Sequence, residues 1–200
     1  MKIGILGGTF DPVHNGHIKV AEAVKTQLDL AKVVFMPAGQ PWLKSDSPVS
    51  PAQHRAEMVR LAIAGRLGFE LSLLEINRPG PSYTVDTIEE FRNKNGDGNE
   101  LFFILGRDSL SQLPRWKEPS RLIELCRLVA VPRPGSKLPD LKELETLIPG
   151  LSSRLILLDK PEIDVSATQI RKRVAEGLSI RGLVPGPVAE YIKQHKLYVV

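Results

Sequence analysis

Cysteine is almost absent from this chain of 200 residues, which contains Cys126 alone. A single cysteine excludes an internal disulfide and is typical of a reducing compartment, so we expect a cytoplasmic protein. No apolar run approaches the ~20 residues that a membrane-spanning helix needs. The short, glycine-rich start of the chain also does not have the pattern of a signal peptide. The sequence therefore predicts a protein with no membrane contact.

Dense basic runs with interleaved aromatic residues are also missing. Aromatic residues make up 6% of the chain and the formal net charge is only +4, which a solvated surface with a slight excess of lysine and arginine explains. We therefore expect no nucleic-acid partner. The hydrophobic and charged fractions, 42% and 25%, are those of an ordinary globular protein, and 200 residues suit one domain. The oligomeric state stays open, and a homo-oligomer is compatible with the sequence.

Short apolar, β-branched runs alternate with helical patterns along the chain. Strands are predicted at residues 2–6, 32–36, 70–74, 101–105, 128–131 and 154–158. Helices are predicted near residues 17–28, 51–64, 85–93, 119–125 and 141–147. This order predicts an α/β fold of the Rossmann-like, doubly wound kind, with a mostly parallel sheet and helices on both faces. Within a single domain, 1–200, we expect a Rossmann-like core at 1–165 and a helical carboxy-terminal part at 166–200.

The most informative segment follows the first predicted strand and reads Gly7-Gly8-Thr9-Phe10-Asp11-Pro12-Val13-His14-Asn15-Gly16-His17. Glycines let a backbone approach a ligand closely. A helix that begins there presents unpaired N–H groups and the positive end of its dipole. The imidazoles of His14 and His17 add donors at the same rim. These properties favour a site for a polyanion, most plausibly a nucleoside triphosphate.

Other interpretations of this segment stay open when only its residues are considered. The two glycines are compatible with a simple tight turn, and the histidines with helix capping or exposure. A metal site lacks a third ligand, because the remaining histidines and the cysteine are His54, His195 and Cys126. The segment also contains neither Gly-Lys-Ser/Thr nor Gly-x-Gly-x-x-Gly, so it is not one of the two common phosphate loops.

The full segment resembles the signature of the nucleotidyltransferase superfamily, whose loop ends in His-x-Gly-His. The longer form Gly-Gly-Thr-Phe-Asp-Pro-Val-His-x-Gly-His is similar to one branch, the bacterial nicotinate mononucleotide adenylyltransferases. The resemblance implies transfer of AMP from ATP to nicotinate mononucleotide in NAD biosynthesis, with those two nucleotides as partners. On this hypothesis His17 acts on the α-phosphate and His14 orients and neutralises phosphates. The backbone cradle for ATP then consists of Gly7, Gly8, Thr9 and Phe10.

A second phosphate-binding motif is expected at Asp164-Val165-Ser166-Ala167-Thr168-Gln169-Ile170-Arg171. Ser166 or Thr168 suits a helix cap, with Gln169 placed as in a capping box, so a purely structural role stays open. Arg171 in the first turn opposes the helix dipole, which favours an anion in front of both. The segment resembles the Ser-Ser/x-Thr-x-Ile-Arg motif of the same family. That resemblance implies that Ser166, Thr168 and Arg171 hold the β- and γ-phosphates of ATP.

The acceptor is expected near Pro81-Ser82-Tyr83-Thr84 and Trp116. Helix N–H groups near Thr84 suit a carboxylate and an indole face suits a pyridine ring, although a plain helix start and a half-buried tryptophan explain the same residues. Both segments resemble those that hold nicotinate mononucleotide in the family. The implied acceptor contacts are Ser82, Tyr83, Thr84, Asp108, Trp116, Lys117 and Arg133. Gly106 and Asp108 are further implied contacts to ATP.

The attacking phosphate oxygen is already ionised near neutral pH. Catalysis therefore requires only that the site position the substrates and neutralise their charge. His14, His17 and Arg171 are the predicted catalytic residues.

Lys44 is expected to reach ATP phosphate from a loop in which relatives often carry Pro-Pro-His-Lys. In this chain Leu43 stands in place of that histidine. Mg²⁺ is expected with ATP, held by phosphates and water, and no metal held by the protein is predicted.

Two alternatives to this activity stay open at this point. One is an adenylyl- or cytidylyltransferase with another acceptor, such as nicotinamide mononucleotide or phosphopantetheine. The other is a non-catalytic module that senses nucleotides on the same fold. The presence of both histidines and Arg171 disfavours that second alternative, since a pure binder needs neither imidazole at the α-phosphate.

Overall fold

The computed structural model describes residues 1–41, 49–96, 98–135, 138–161 and 164–199. Within them one parallel sheet has six strands, which are β1 (Lys2–Gly8), β2 (Lys32–Pro37), β3 (Phe69–Leu71), β4 (Glu100–Gly106), β5 (Arg127–Val131) and β6 (Leu155–Leu157). The strand order is β3-β2-β1-β4-β5-β6, and every neighbouring pair is parallel. The predicted α/β fold with a Rossmann-like, doubly wound sheet is confirmed.

Helices cover both faces of this sheet. In the described ranges they are α1 (Asn15–Gln27), α2 (Ala52–Ile63), α3 (Leu74–Asn77), α4 (Thr84–Asn95), α5 (Arg107–Leu110), α6 (Pro119–Leu125), α7 (Leu141–Leu147), α8 (Leu151–Arg154), α9 (Ala167–Ala175) and α10 (Gly186–Gln194). A 3-10 turn, Leu113–Arg115, precedes α6. None of the helices in these ranges combines the length and apolarity that crossing a membrane requires.

Side chains of the central strands alternate between the two faces, as the period of two along a strand dictates. On β2, Val33 and Phe35 belong to the cluster that also holds residues of α1, α2, α9 and α10. Val34 and Met36 belong to the opposite cluster, with residues of α4, α6, α7 and α8. A sheet buried on both faces needs apolar residues at successive positions, which explains why these strands are nearly continuous hydrophobic runs.

The strand order reverses between β1 and β4, which pair with each other at the centre of the sheet. Connections from the carboxyl ends of β1 and β4 run in opposite directions, and a crevice opens between them. Gly8, Pro37, Gly106 and Val131 end the four central strands at this edge. The topology thus brings the loops after β1, β2, β4 and β5 together.

The carboxy-terminal helices pack on the same cluster as α1 and α2. Ile170 of α9 and Val188 and Ile192 of α10 are buried within it. The backbone N–H of Asn15 donates to the carbonyl of Leu183 at 2.9 Å, which ties the start of α1 to the segment before α10. This packing holds α9 beside the end of β1.

Most predicted elements differ from the structure by one or two residues at an end, and two differences, at β3 and at α1, alter the interpretation of a segment. The strand predicted at 70–74 is wrong after Leu71, because Leu74 already begins α3. β3 is an edge strand that pairs with β2 over three residues, so its ladder ends early. The helix predicted from residue 17 begins at Asn15, with His14 as its amino-terminal cap position. Both histidines therefore lie at the first turn of α1.

Candidate active site

Two groups of residues lie along the carboxyl edge of the sheet. We call residues 7–17 and 166–171 the histidine side, and residues 82–84, 106–108, 116–117 and 133 the tryptophan side. Phe103 of β4 lies between them. Its ring would come within 3.0 Å of a Cβ added to Gly7, and its centroid is 6.0 Å from that of Trp116. The two sides are therefore neighbours across one central strand.

The turn after β1 is closely packed around its glycines. A Cβ on Gly8 would lie 3.2 Å from the ring of Phe10, and Phe10 itself has a φ of 50°, in the left-handed region. The Phe10 ring is buried and meets the ring of His17 edge-on at 4.9 Å. The predicted contact of Phe10 with ATP can thus involve only its backbone, because its side chain belongs to the core.

His14 and His17 stack with their ring centroids 3.7 Å apart and an interplanar angle of 22°. The backbone N–H of His14 donates to Nδ1 of His17 at 3.2 Å. Because Nδ1 of His17 accepts this hydrogen bond, the geometry assigns the proton of the neutral ring to Nε2. His17 consequently presents an N–H donor on the opposite edge of its ring, as a role at a phosphate oxygen requires.

His14 is the buried member of the pair. Burial lowers the pKa of His14 to about 4, and the positive charge of Arg133 on the tryptophan side adds to this effect. Its Nδ1 is buried and has no hydrogen-bond partner in the described part of the chain. An anion bound beside this imidazole would raise the pKa of His14, because an opposite charge stabilises the protonated form.

Asp11 connects the turn after β1 to three other segments of the chain. Its backbone carbonyl accepts a hydrogen bond from Nη1 of Arg171 at 2.8 Å. Its carboxylate accepts one from the Tyr198 hydroxyl at 2.7 Å and one from the backbone N–H of Ser50 at 3.2 Å. Burial, followed by the bond to Asp11, raises the pKa of Tyr198. The tyrosine therefore stays protonated and donates.

The second motif reaches the first through Arg171. Ser166 caps α9, its hydroxyl accepting from the Gln169 N–H at 3.2 Å. Nη2 of Arg171 lies 3.4 Å from the Thr168 hydroxyl, while Nη1 binds the Asp11 carbonyl. Ser166 and Thr168 are exposed in front of this helix start. The structure thus brings the residues of both predicted phosphate motifs to one place.

Ser82 on the tryptophan side is engaged by backbone rather than open to solvent. Its hydroxyl accepts hydrogen bonds from the N–H groups of Gly39 and Gln40 at 3.0 and 3.2 Å. Its own N–H donates to the Gln40 carbonyl at 2.9 Å. Tyr83 is the cap position of α4 and Thr84 its first residue. Ser82 therefore ties the loop after β2 to the start of α4.

Trp116 lies between the core and the site. Its Nε1 is buried and has no hydrogen-bond partner among the described residues, although a buried indole N–H normally has one. Lys117, the next residue, pairs with Asp86 at 2.8 Å and lies 5.2 Å from the Tyr83 ring centroid. The structure thus brings the predicted contacts Tyr83 and Lys117 together beside the start of α4.

The turn after β4 carries the third part of the tryptophan side. Nη1 of Arg133 donates to Asp108 at 3.2 Å. A Cβ added to Gly106 would lie 2.2 Å from Oδ1 of Asp108 and 3.0 Å from Nε of Arg133. Gly106 therefore leaves room for this ion pair, and a Cβ there would force the exposed side chain of Asp108 to shift. All three predicted residues lie together.

Sequence reasoning missed Arg55, which is buried beneath the turn after β1. Its Nη1 donates to the carbonyl of Thr9 at 2.8 Å. The signal in the sequence is its register, because Arg55 shares the apolar face of α2 with Met58, Val59 and Ala62. Lys44, the remaining predicted ATP contact, lies outside the described residues.

The donors on the histidine side suit an anion rather than a bare metal ion. They are imidazole and guanidinium nitrogens and backbone N–H groups, while the carboxylate of Asp11 is already bonded to Tyr198 and Ser50. The described ranges contain no group of three or more His, Cys, Asp or Glu side chains that could hold a metal.

Comparison with known proteins gives consistent results. The model of the cytidylyltransferase-like family matches residues 5–173. A protein of Dehalococcoides mccartyi strain CBDB1 named "Probable nicotinate-nucleotide adenylyltransferase" is 50% identical over 198 residues, which cover 99% of this chain and 97% of that protein. A protein of the same name from Thermomicrobium roseum is 46% identical, over 98% of this chain and 91% of its own length.

Solved structures share the fold. Nicotinic acid mononucleotide adenylyltransferase of Plasmodium falciparum, complexed with NaAD, matches with a TM-score of 0.79 and 18% identity, over 98% of this chain and 97% of that one. The same enzyme complexed with APC matches with a TM-score of 0.76, over 98% and 96% of the two chains. At this identity the likeness concerns the fold.

Proposed function

This chain belongs to the cytidylyltransferase-like family, and from that premise we propose that it transfers AMP from ATP to the 5′-phosphate of nicotinate mononucleotide. The products are nicotinate adenine dinucleotide and pyrophosphate. The hydrogen bond from Arg171 to the Asp11 carbonyl carries the proposal, because it joins the two predicted phosphate motifs at the switch point of the sheet. The names of relatives 50% and 46% identical support the same reaction.

Phosphate chemistry is assigned to the histidine side. The Nε2–H of His17 donates to the α-phosphate as charge builds on it during attack by the acceptor phosphate. His14, neutral in the free protein, takes up a proton as the polyanion binds and then offsets its charge. Ser166, Thr168 and Arg171 hold the departing pyrophosphate. The backbone of residues 7–10 forms the cradle, and no general base is needed.

Acceptor binding is assigned to the tryptophan side. Trp116 offers its indole face to the pyridine ring, and Tyr83 and Thr84 offer the start of α4 to the carboxylate. Asp108 and Arg133 supply an acceptor and a cation for ribose hydroxyls and phosphate. Lys117, paired with Asp86, adds positive charge beside the ring. The N–H groups at the start of α4 favour the acid over the amide mononucleotide. A carboxylate accepts hydrogen bonds from these N–H groups, whereas an amide NH₂ would place donors against donors.

Mg²⁺ is part of the proposal as the companion of ATP, where it offsets phosphate charge. The histidine side offers mainly nitrogen donors to the phosphates, so a bound ion would take its ligands from phosphate oxygens and water. We place the reaction in the cytoplasm, since the single Cys126 suits a reducing compartment. Burial raises the pKa of that thiol to about 12, which keeps it unreactive.

An acceptor panel tests the proposed function. The purified chain is incubated with ATP, Mg²⁺ and nicotinate mononucleotide, nicotinamide mononucleotide or phosphopantetheine, and pyrophosphate release and the dinucleotide are quantified. We expect turnover with nicotinate mononucleotide at the highest kcat/KM. Faster turnover with another acceptor contradicts the proposed substrate. Binding of ATP and nicotinate mononucleotide without any product contradicts enzymatic function and supports a nucleotide sensor.

A further inference from the structure

Among the described residues, Arg55 is the largest side chain that is almost completely buried, with 1% of its surface exposed. A buried charge is costly unless its hydrogen bonds are satisfied. Its Nε donates to the carbonyl of Ser50 at 2.8 Å, its Nη1 to the carbonyl of Thr9 at 2.8 Å, and its Nη2 to the carbonyl of Gly39 at 3.2 Å. One guanidinium thus joins three separate backbone segments.

Two of these carbonyls belong to the loops that build the site. Thr9 follows β1 on the histidine side, and Gly39 follows β2. Gly39 is held through its other backbone group as well, because its N–H donates to the Ser82 hydroxyl on the tryptophan side. A Cβ on Gly39 would lie 2.2 Å from the carbonyl oxygen of Glu75, so this loop also has little space to move. A continuous path therefore runs from Thr9 through Arg55 and Gly39 to Ser82.

The charge of Arg55 is matched by carboxyl groups around it. Burial lowers the pKa of Arg55, and the nearby carboxyl groups of Asp11 and Glu75 oppose this effect. The Asp11 carboxylate accepts a hydrogen bond from the Ser50 N–H, and the Ser50 carbonyl accepts one from Arg55. The backbone of Ser50 therefore links the carboxylate to the guanidinium. Glu75 is buried and receives a hydrogen bond from the Thr87 hydroxyl at 2.7 Å. These contacts hold the guanidinium in a single orientation.

We propose that Arg55 is a positioning residue, which fixes the distance between the histidine side and the tryptophan side and thereby aligns the acceptor phosphate with the α-phosphorus of ATP. This inference rests on the proposed function. All three of its donor nitrogens bond to backbone carbonyls and its side chain is buried, so Arg55 acts through the loops rather than on either substrate. A displacement of about 1 Å from the attack geometry costs roughly a hundredfold in rate.

Bisubstrate kinetics of Arg55→Met and Arg55→Lys test the proposal. Met keeps much of the volume and loses all three hydrogen bonds, whereas Lys keeps the charge but is a point donor without the planar fork. We expect kcat at saturating ATP and nicotinate mononucleotide to fall about a hundredfold in the Met variant and about tenfold in the Lys variant. KM for each substrate is expected to change less than kcat, because each half of the site stays intact.

Arg60→Met is the matched control, since Arg60 lies on the exposed face of the same helix and pairs with Glu57 at 2.6 Å. It should leave kcat and both KM values at the wild-type level. Rates are normalised to the folded fraction, measured by urea unfolding. A wild-type kcat in the Arg55→Lys variant overturns the proposal, because it would show that a positive charge at this position is sufficient. A loss of activity that follows only the folded fraction, or a rise in KM for ATP with kcat unchanged, also overturns it.

Ser82→Ala keeps the test decisive if the Arg55 variants do not fold. It removes the acceptor for the Gly39 and Gln40 N–H groups at the other end of the same path. We expect kcat to fall about tenfold with little change in KM for nicotinate mononucleotide. Ser153→Ala, whose hydroxyl binds the Gly150 carbonyl far from the site, is the control. If Ser82→Ala raises KM for nicotinate mononucleotide and leaves kcat unchanged, the proposal is overturned and Ser82 is a direct substrate contact.

The wild-type protein separates the two possible failures. If the wild type forms the dinucleotide and the Arg55 and Ser82 variants retain its kcat, the positioning role is wrong and the proposed function stands. If the wild type forms no dinucleotide in the acceptor panel, the proposed function fails, and the positioning inference fails with it.

Discussion

On the histidine side, the turn after β1 is built around buried polar groups, whereas the tryptophan side carries an ion pair at the surface. Asp11 and His14 are 5% and 7% exposed, and the hydroxyl that binds Asp11 comes from Tyr198, near the other end of the chain. On the tryptophan side, the side chains of Asp108 and Arg133 are 47% and 56% exposed and bond across 3.2 Å.

This difference indicates two modes of recognition on one sheet edge. A triphosphate carries several charges, and donors fixed before it arrives cost no reorganisation when the transition state forms. Exposed ion pairs contribute little stability, so their members can exchange partners when an acceptor binds. The histidine side is therefore preorganised and the tryptophan side adaptable.

Replacing His17 tests the preorganised side most severely. Loss of one fixed transition-state donor costs on the order of 3 kcal/mol, so His17→Ala should lower kcat by about a hundredfold or more without unfolding the protein. Single-turnover rates and circular dichroism measure the two effects. The exposed His195→Ala is the control. Turnover close to the wild type in His17→Ala would remove the α-phosphate assignment.

Acid should destabilise the protein through His14. Burial lowers its pKa from the ordinary value of 6.5 to about 4 in the folded protein, so between these pH values the unfolded state binds more protons and stability falls as pH falls. The loss reaches about 3 kcal/mol near pH 4. Urea unfolding of the wild type and His14→Asn, at neutral pH and at a pH just above that folded-state pKa, measures it. An identical pH slope in both proteins contradicts the prediction.

Tyr198→Phe removes the hydroxyl that donates to Asp11 in the buried network. The lost hydrogen bond goes to a carboxylate, so the free energy of unfolding should fall by about 1.5 kcal/mol. Tyr191→Phe, which loses only a bond to His54 on the half-buried surface between α2 and α10, should cost less. Chemical denaturation compares the two variants. Equal losses of unfolding free energy in the two variants would show that the bond to Asp11 stabilises the protein no more than the bond to His54 does.

The smallest effect on stability is expected from Asp86→Asn, which breaks the exposed pair with Lys117. Its urea midpoint should match the wild type, because such pairs are screened by solvent and salt. KM for nicotinate mononucleotide should instead change, since Lys117 becomes free to approach the acceptor. A clear loss of stability with unchanged KM would show that the tryptophan side is as rigid as the histidine side.

Much of this arrangement was predictable because it is local in sequence. The periodicity of the strands indicated the α/β fold, and the residues after β1, β4 and β5 fall on one edge once the strands are parallel. The cap at Ser166 and the meeting of His14 with His17 also follow from short spacings. These features depend on neighbours within one turn or one strand.

Other features depend on partners that no local pattern specifies. The strand predicted at 70–74 failed because Leu73 and Leu74 are apolar in either state, and only the short pairing with β2 ends the strand at Leu71. Arg55 binds a carbonyl 46 residues away, and Tyr198 a carboxylate 187 residues away. Ser82 was predicted as a substrate contact, but which way its hydroxyl points depends on the loop after β2.

The three acceptors of Arg55 are main-chain carbonyls, and every amino acid type supplies one. Evolution can therefore exchange the side chains at positions 9 and 50 without weakening these bonds, whereas position 39 stays glycine because a Cβ there would lie 2.2 Å from the carbonyl oxygen of Glu75. We expect position 55 to be invariant among relatives while showing no correlated change with those positions. Methods that infer proximity from paired substitutions will consequently overlook a contact on which the spacing of the whole crevice depends.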